Sequence, residues 1–514
     1  MSDRKLRAIV GVTIILGISK VLGMGREMVI ADRFGTSVDY DLYLIAVMLP
    51  ALAYGIINFA SFYLLVPYLT KTMPVAESSG ENERWRHIWT LFNVAALIAA
   101  GLAIAISLVA PVLVRVWTGD ISSGQYDRVV LYARATSVIV VLGTMEAFFR
   151  AILNTRKLFA YPSGGPIIEN LLAILIIVSL SRTMSVGAIV CGVIGGLLAQ
   201  NIYLAARLRA LGFFKCYTFS FRHAGALVLV PTAALLVVIE LLNRSYFLVD
   251  RYVAPQFGAG VISALNYGQV LVQLPDAIVG FAIASVVFPH FSEAQATGDN
   301  EQFANVYREA ILGGLLISAP VAVFFLTGAS EIIQLVFLRG VFDSSSLDLT
   351  SRLLIPYAPT IVALTIISTS IRACYSRGWT ALVLVFTVMT LVTKVTATLL
   401  LAARFGFPGI AAATTVSQWL FALLLVWLVV ARMPSFSLKT LLVPLSRIVI
   451  CACAALVTVL AANPLLQARF PGHSTIDAVS RLGISGAILF AVYVALVYIL
   501  GLGSYMSRIV RTRI

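Results

Sequence analysis

Apolar runs long enough to cross a bilayer recur along the whole chain, each closed by charge, Pro or Gly, and the polar gaps between them are short. A hydrocarbon core about 30 Å thick needs roughly 20 apolar residues per helix. The pattern predicts fourteen spanning helices, at approximately 8–33, 42–69, 88–114, 129–153, 163–181, 185–206, 225–249, 259–289, 305–328, 351–375, 380–402, 408–431, 437–461 and 482–503. The fold class expected is therefore an all-α polytopic membrane protein. A faint internal repeat adds an organisation: Phe34-Gly35, Leu49-Pro50 and Val66-Pro67 recur in order as Phe257-Gly258, Leu274-Pro275 and Phe288-Pro289. Two six-helix lobes in the same orientation follow, residues 1–215 and 216–433, with a C-terminal helix pair in 434–514. Parallel repeats of this kind belong to alternating-access transporters with a substrate site near the midplane.

Composition sharpens the picture. Of 514 residues 60% are hydrophobic and 12% charged, which excludes an ordinary soluble chain. The net charge of +14 would suggest nucleic acid in a soluble protein. In a membrane protein it follows from Lys and Arg in cytoplasmic loops. With the N-terminus inside, the inner segments collect Arg4, Lys5, Arg7, Lys71, Arg84, Arg86, Arg156, Lys157, Arg207, Arg209, Lys215, Arg222, Arg377, Arg432, Lys439, Arg508, Arg511 and Arg513, against chiefly Arg182, Arg339, Arg404, Arg469 and Arg481 outside. Both termini are thus expected in the cytoplasm. The first apolar run lacks a small-residue cleavage site and is expected to be a retained span. Cys191, Cys216, Cys374, Cys451 and Cys453 have no metal-ligand spacing and are expected to pack as small hydrophobes.

Candidate chemistry sits where charge interrupts apolar sequence. In the first span, Ile18-Ser-Lys-Val-Leu-Gly-Met-Gly-Arg-Glu27 places Lys20, Arg26 and Glu27 in a helix that should be apolar. Each such charge costs about 2.5–3.5 kcal/mol on an insertion scale unless it faces a wet cavity or a partner. Lys20 and Glu27 share a face, and Gly23 and Gly25 offer a bend that would bring Arg26 toward it. Asp32, Arg33, Asp39 and Asp41 fit a solvated outer loop, and Asp41 equally fits a helix cap or a substrate position. Tyr54 and Asn58 are four apart in span two, as are Gln269 and Gln273 in span eight, so each pair shares a face. Glu146, Arg150 and Glu169 fit an intramolecular charge network at the inner ends of spans four and five, and Lys394 lies deep in span eleven. No Walker loop occurs, and His87, His223, His290 and His473 are scattered, so no metal or other cofactor is expected and an enzyme is disfavoured.

The segment Ser19-Lys-Val-Leu-Gly-Met-Gly-Arg-Glu-Met-Val-Ile-Ala-Asp-Arg-Phe-Gly35 resembles the opening helix of the MurJ/MviN family of lipid II flippases, in the superfamily of multidrug, oligosaccharidyl-lipid and polysaccharide exporters. The likeness continues through Asp41, Leu49-Pro50 and Val66-Pro-Tyr-Leu69, returns in Ala151-Ile-Leu-Asn-Thr-Arg-Lys-Leu-Phe-Ala-Tyr-Pro-Ser-Gly-Gly-Pro166, and again in Phe288-Pro-His-Phe-Ser292. The resemblance implies a flippase of the bacterial inner membrane, acting as a monomer among membrane lipids on an undecaprenyl-diphosphate-linked glycan. A basic cavity would hold the diphosphate through Lys20 and Arg26, with Glu27 and Asp41 at acidic positions. Lys20 stands where the family has an arginine, a point charge in place of a fork.

Tyr54-Gly55 stands where the family commonly has a basic pair, and Gln269-Val270 where it has Asp-Arg. These departures predict a cavity poorer in charge, in which Tyr54, Asn58, Gln269 and Gln273 read the glycan. Lipid II and an exopolysaccharide or O-antigen repeat unit both stay open as cargo. Glu27 keeps a cation-coupled multidrug exporter open, and a non-transporting scaffold is the remaining class. Without an ATP site, the driving force expected is the membrane potential or an ion gradient. Alanine at Lys20 or Arg26 is expected to remove transport without changing abundance, and normal transport by the double alanine variant would contradict a cavity role for these cations.

Overall fold

A computed structural model describes residues 3–72, 81–118, 121–219, 230–277, 299–433, 436, 438–472, 474–503 and 505. The Phe288–Ser292 match and the last member of the repeat lie outside the described residues. The described secondary structure is helical: α1 Asp3–Phe34, α2 Val38–Ala46, α3 Met48–Ala60, α4 Val66–Thr72, α5 Glu81–Thr118, α6 Ser123–Thr136, α7 Val138–Thr155, α8 Ala160–Met184, α9 Gly187–Ala210, α10 Val230–Arg244 and α11 Tyr246–Val253. Residues 261–277 form α12. There follow α13 Asn300–Thr327, α14 Ala329–Phe337, α15 Ser344–Tyr357, α16 Thr360–Ser376, α17 Thr380–Phe405, α18 Pro408–Arg432, α19 Leu438–Arg469 and α20 Thr475–Ile499.

Among the described residues ten helices or helix runs are long and apolar enough to cross a membrane, or eleven if α15 and α16, bent by 47°, count as one span. Of the remaining three expected spans, the first carries Lys20, Arg26 and Glu27 within its helix, the seventh is broken at Ser245, and the eighth is described only as far as residue 277. The protein is thus an all-helical, multi-pass membrane protein of about fourteen spans. Large apolar side chains point outward along these helices, among them Ile98 and Leu108 of α5, Leu400 of α17, Val457 of α19 and Ile499 of α20. Patches of this extent suit lipid rather than water.

The chain forms two compact units, Met1–Tyr252 and Val253–Ile514. In the first, α8 and α9 meet along a seam of small residues, because in lipid helices associate by close van der Waals approach. Gly192 and Gly196, four apart, face α8: a Cβ at Gly192 would lie 3.1 Å from the Ala173 carbonyl oxygen, and one at Gly196 2.5 Å from that of Glu169. An aromatic cluster fastens α5 to the segment after α9. Trp89 stacks on Phe213 with ring centres 4.4 Å apart and donates its indole N–H to the Phe213 carbonyl at 2.9 Å.

One buried carboxylate joins three helices of this unit. Glu146 of α7 is fully buried, and its Oε1 accepts from Arg150 Nη1 at 2.8 Å and from Gln200 Nε2 of α9 at 2.9 Å. Its Oε2 accepts from the Tyr54 hydroxyl of α3 at 3.4 Å. A Cβ at Gly143 would overlap the Tyr54 ring, so the missing side chain one turn before Glu146 makes room for the phenol that reaches it.

In the second unit α13, α16, α18, α19 and α20 enclose an apolar core that includes Leu312, Phe421, Leu425, Cys451 and Leu489. The Tyr307 hydroxyl and Ser370 Oγ lie 2.8 Å apart within it. Lys394 of α17 is fully buried, with Nζ donating to Thr414 Oγ1 at 2.6 Å and to the Ile410 carbonyl at 3.3 Å. Cys191, Cys374, Cys451 and Cys453 are free thiols, and the Cys216 side chain lies outside the described residues.

Two contrasts check this packing. Gly196→Val should lower stability by about 1–3 kcal/mol, because a backbone carbonyl cannot move aside as a side chain can. Gly101→Ala, with nothing within 4 Å of its added carbon, should be neutral or stabilising in thermal unfolding of the purified protein. Glu146→Ala should cost about 3–5 kcal/mol by leaving Arg150 and Gln200 without their acceptor. A melting temperature unchanged by Glu146→Ala would show that the carboxylate does not hold these helices together.

Candidate functional site

Within the first unit lies a cavity of about 610 Å3, inside the range of small-ligand pockets. It is built by α3, the π-helical turn Ser61–Leu65, α7 and α10, and its polar lining is Tyr54, Asn58, Ser61, Tyr63, Arg150, Asn154 and Arg244. A π turn widens the helix locally and often marks functional sites. Here it carries Phe62 and Tyr63, both exposed on the cavity wall. Asn58 Nδ2 donates to the Tyr54 carbonyl one turn back at 3.2 Å, which fixes the amide beside the phenol on one helix face, the face expected from their spacing.

The two cations reach the cavity from different helices in the same way. Arg150 Nη1 is 2.8 Å from Glu146 Oε1, and Arg244 Nε is 2.6 Å from Glu240 Oε1, each glutamate four residues earlier on the same helix. Both arginine side chains are about two-fifths exposed, at 38% and 40%, while their glutamates are at 0% and 11%. Tyr54-Gly55 brings no cation on α3, but guanidiniums arrive from α7 and α10. Arg150 was legible as part of a charge network with Glu146, although not as cavity lining. Arg244 and Gly55 were missed, and the available signal was the Glu240–Arg244 spacing inside an apolar run.

The first-span charges form a neighbouring cluster. Arg26 Nη2 lies 3.0 Å from Glu27 Oε1 and Arg26 Nη1 4.0 Å from Glu169 Oε1 of α8. Arg26 Nε is buried and has no hydrogen-bond partner among the described residues. Glu146, Arg150 and Glu169 thus divide into two ion pairs, the second completed by α1. Lys20, two turns earlier, is exposed.

Asp41 is buried in α2 but does not cap it; Ser37 does, accepting from the Tyr40 backbone N–H. Arg251 of α11 donates to the Leu44 carbonyl at 2.5 Å, tying the end of this unit to α2. Asp32 pairs with Arg33 at 3.3 Å and Asp39 with Arg128 at 3.8 Å, as a solvated end would allow. Gln269 and Gln273 belong to the second unit. Gln269 Nε2 donates to the Tyr357 hydroxyl at 3.2 Å, and Gln273 is exposed.

Comparison with known proteins places the chain in a family. The profile of the family described as lipid II flippase MurJ matches residues 30–478. A probable lipid II flippase MurJ of Bdellovibrio bacteriovorus is 25% identical over 506 residues, covering 96% of this chain and 94% of that relative. One of Vibrio cholerae serotype O1 is 25% identical over 437 residues, 82% of each chain. Among solved structures, a lipid II flippase MurJ in an inward closed conformation superposes with a TM-score of 0.76 at 21% identity, covering 95% of this chain and 98% of that one. An inward-facing multidrug resistance MATE transporter of the MOP superfamily gives 0.68 at 12% identity, covering 82% and 98%, a likeness of fold alone. With a family profile spanning most of its length, the chain belongs to the lipid II flippase MurJ family.

Proposed function

We propose that this protein is an alternating-access flippase that moves lipid II, the undecaprenyl-diphosphate-linked precursor of peptidoglycan, from the inner to the outer leaflet of the bacterial inner membrane. The observation that carries the reading is a cavity whose lining holds two arginines and, among the described residues, no carboxylate, in a chain matched along most of its length by the lipid II flippase family. A diphosphate is the chemistry such a lining suits, since guanidiniums fork onto phosphate oxygens and charge-assisted hydrogen bonds are about twice as strong as neutral ones. Tyr54 and Asn58, in the same lining, present a ring face and an amide to the sugars.

The remaining site residues take supporting parts in this reading. Arg26 exchanges a carboxylate for a phosphate when substrate enters, its Nε already lacking a partner among the described residues. Glu27 and Glu169 hold that guanidinium while the site is empty. Lys20 attracts the anionic headgroup, and Asp41, Gln269 and Gln273 contact the glycan in other states of the cycle. The protein works as a monomer with both termini in the cytoplasm. The multidrug alternative rests on the shared MATE fold at 12% identity, which carries no substrate with it.

Expression in a bacterium depleted of its own lipid II flippase should sustain growth, and Arg26→Ala should abolish that rescue at normal abundance. A wild-type chain present in the membrane at normal level that fails to rescue would overturn the assignment. An anion moving outward runs down an inside-negative potential worth about 2.3 kcal/mol per charge per 100 mV. Collapsing the potential at constant pH should therefore slow flipping in vesicles, and an unchanged rate would exclude the potential as the driving force.

A further inference from the structure

Gly55 of α3 faces the end of Arg244. A Cβ placed on it would overlap Cζ, Nε and Nη1 of that guanidinium. Arg244 needs that space to enter the cavity, because its Nε is anchored by Glu240 on its own helix. The same construction appears on α7, where Glu146 anchors Arg150 through Nη1. In each case one nitrogen is committed to a buried glutamate. Nη1 and Nη2 of Arg244, and Nε and Nη2 of Arg150, have no hydrogen-bond partner among the described residues.

We propose that Gly55 and Arg244 form a specificity device: the missing side chain admits the Arg244 guanidinium, which together with Arg150 grips the diphosphate of the lipid-linked precursor. This rests on the flippase reading and adds which residues select for the diphosphate. Anchoring by a glutamate one turn away fixes each fork before substrate arrives, so less side-chain freedom is lost on binding. The second cation comes from α10, and the bare backbone at Gly55 leaves room for it.

The test separates this role from a merely structural ion pair. Purified full-length protein in lipid nanodiscs would be titrated with lipid II, with sugar-free undecaprenyl diphosphate, and with uncharged undecaprenol. Gly55→Ala leaves the net charge intact while displacing the Arg244 guanidinium, including the Nε that bonds Glu240, and the contact it disturbs is the far end of a flexible side chain, so folding should survive. Gly55→Ala and Arg244→Gln should each weaken both diphosphate lipids at least tenfold without changing undecaprenol. Arg244→Lys should fall between, since an ammonium keeps the charge without the fork. The double variant Gly55→Ala, Arg244→Gln should be no weaker than Arg244→Gln alone, because both changes remove one contact. Wild-type affinity for the diphosphate lipids in Gly55→Ala would overturn the device while leaving the flippase reading standing. Absence of lipid II binding by the wild-type protein would overturn both.

Discussion

Every charge inside a membrane helix must be solvated by something other than lipid, and in this protein that constraint organises the first unit. Glu146 is fully buried, yet it accepts from α3, from α9 and from Arg150 on its own helix, so satisfying one carboxylate fixes the positions of three helices. Removing Glu146 would leave a guanidinium and an amide unsatisfied in a low-dielectric interior, where each is expensive. The glycines support the same arrangement. Gly143 clears space for the Tyr54 ring, and Gly196 lets α9 lie against the α8 backbone at Glu169, whose side chain then reaches toward Arg26.

From this scaffold the cavity acquires its character indirectly. Its arginines are oriented by acids that do not themselves line it, so the wall presents positive charge while the protein interior remains nearly neutral. A surface made this way suits a compact anion, with the aromatic and amide groups of α3 and the π turn beside the cations. In the second unit the buried Lys394 ammonium donates to a threonine hydroxyl and a main-chain carbonyl.

The spans were legible because bilayer thickness imposes a length that composition cannot disguise. Span one is less plain because it holds Lys20, Arg26 and Glu27, and span seven because it is broken at Ser245. The shared face of Tyr54 and Asn58 followed from helical periodicity alone. What could not be read was which helices face one another. Arg244 and Gly55 are 189 positions apart, and neither has a local pattern that points to the other. Asp41 illustrates a smaller ambiguity: an acid near a helix start suits a cap, but Ser37 lies at the boundary residue, where its oxygen reaches the first free N–H groups.

A flippase working through a cationic cavity in its first unit must distinguish a diphosphate-linked glycan lipid from a neutral one. The most direct test is the rate at which fluorescent lipid II changes leaflet in vesicles containing the purified protein, compared with a lipid carrying the same polyprenyl chain and a neutral headgroup. The account predicts that the protein accelerates lipid II well above protein-free vesicles and leaves the neutral lipid at the protein-free rate. Equal acceleration of both lipids, or none of either, would contradict it.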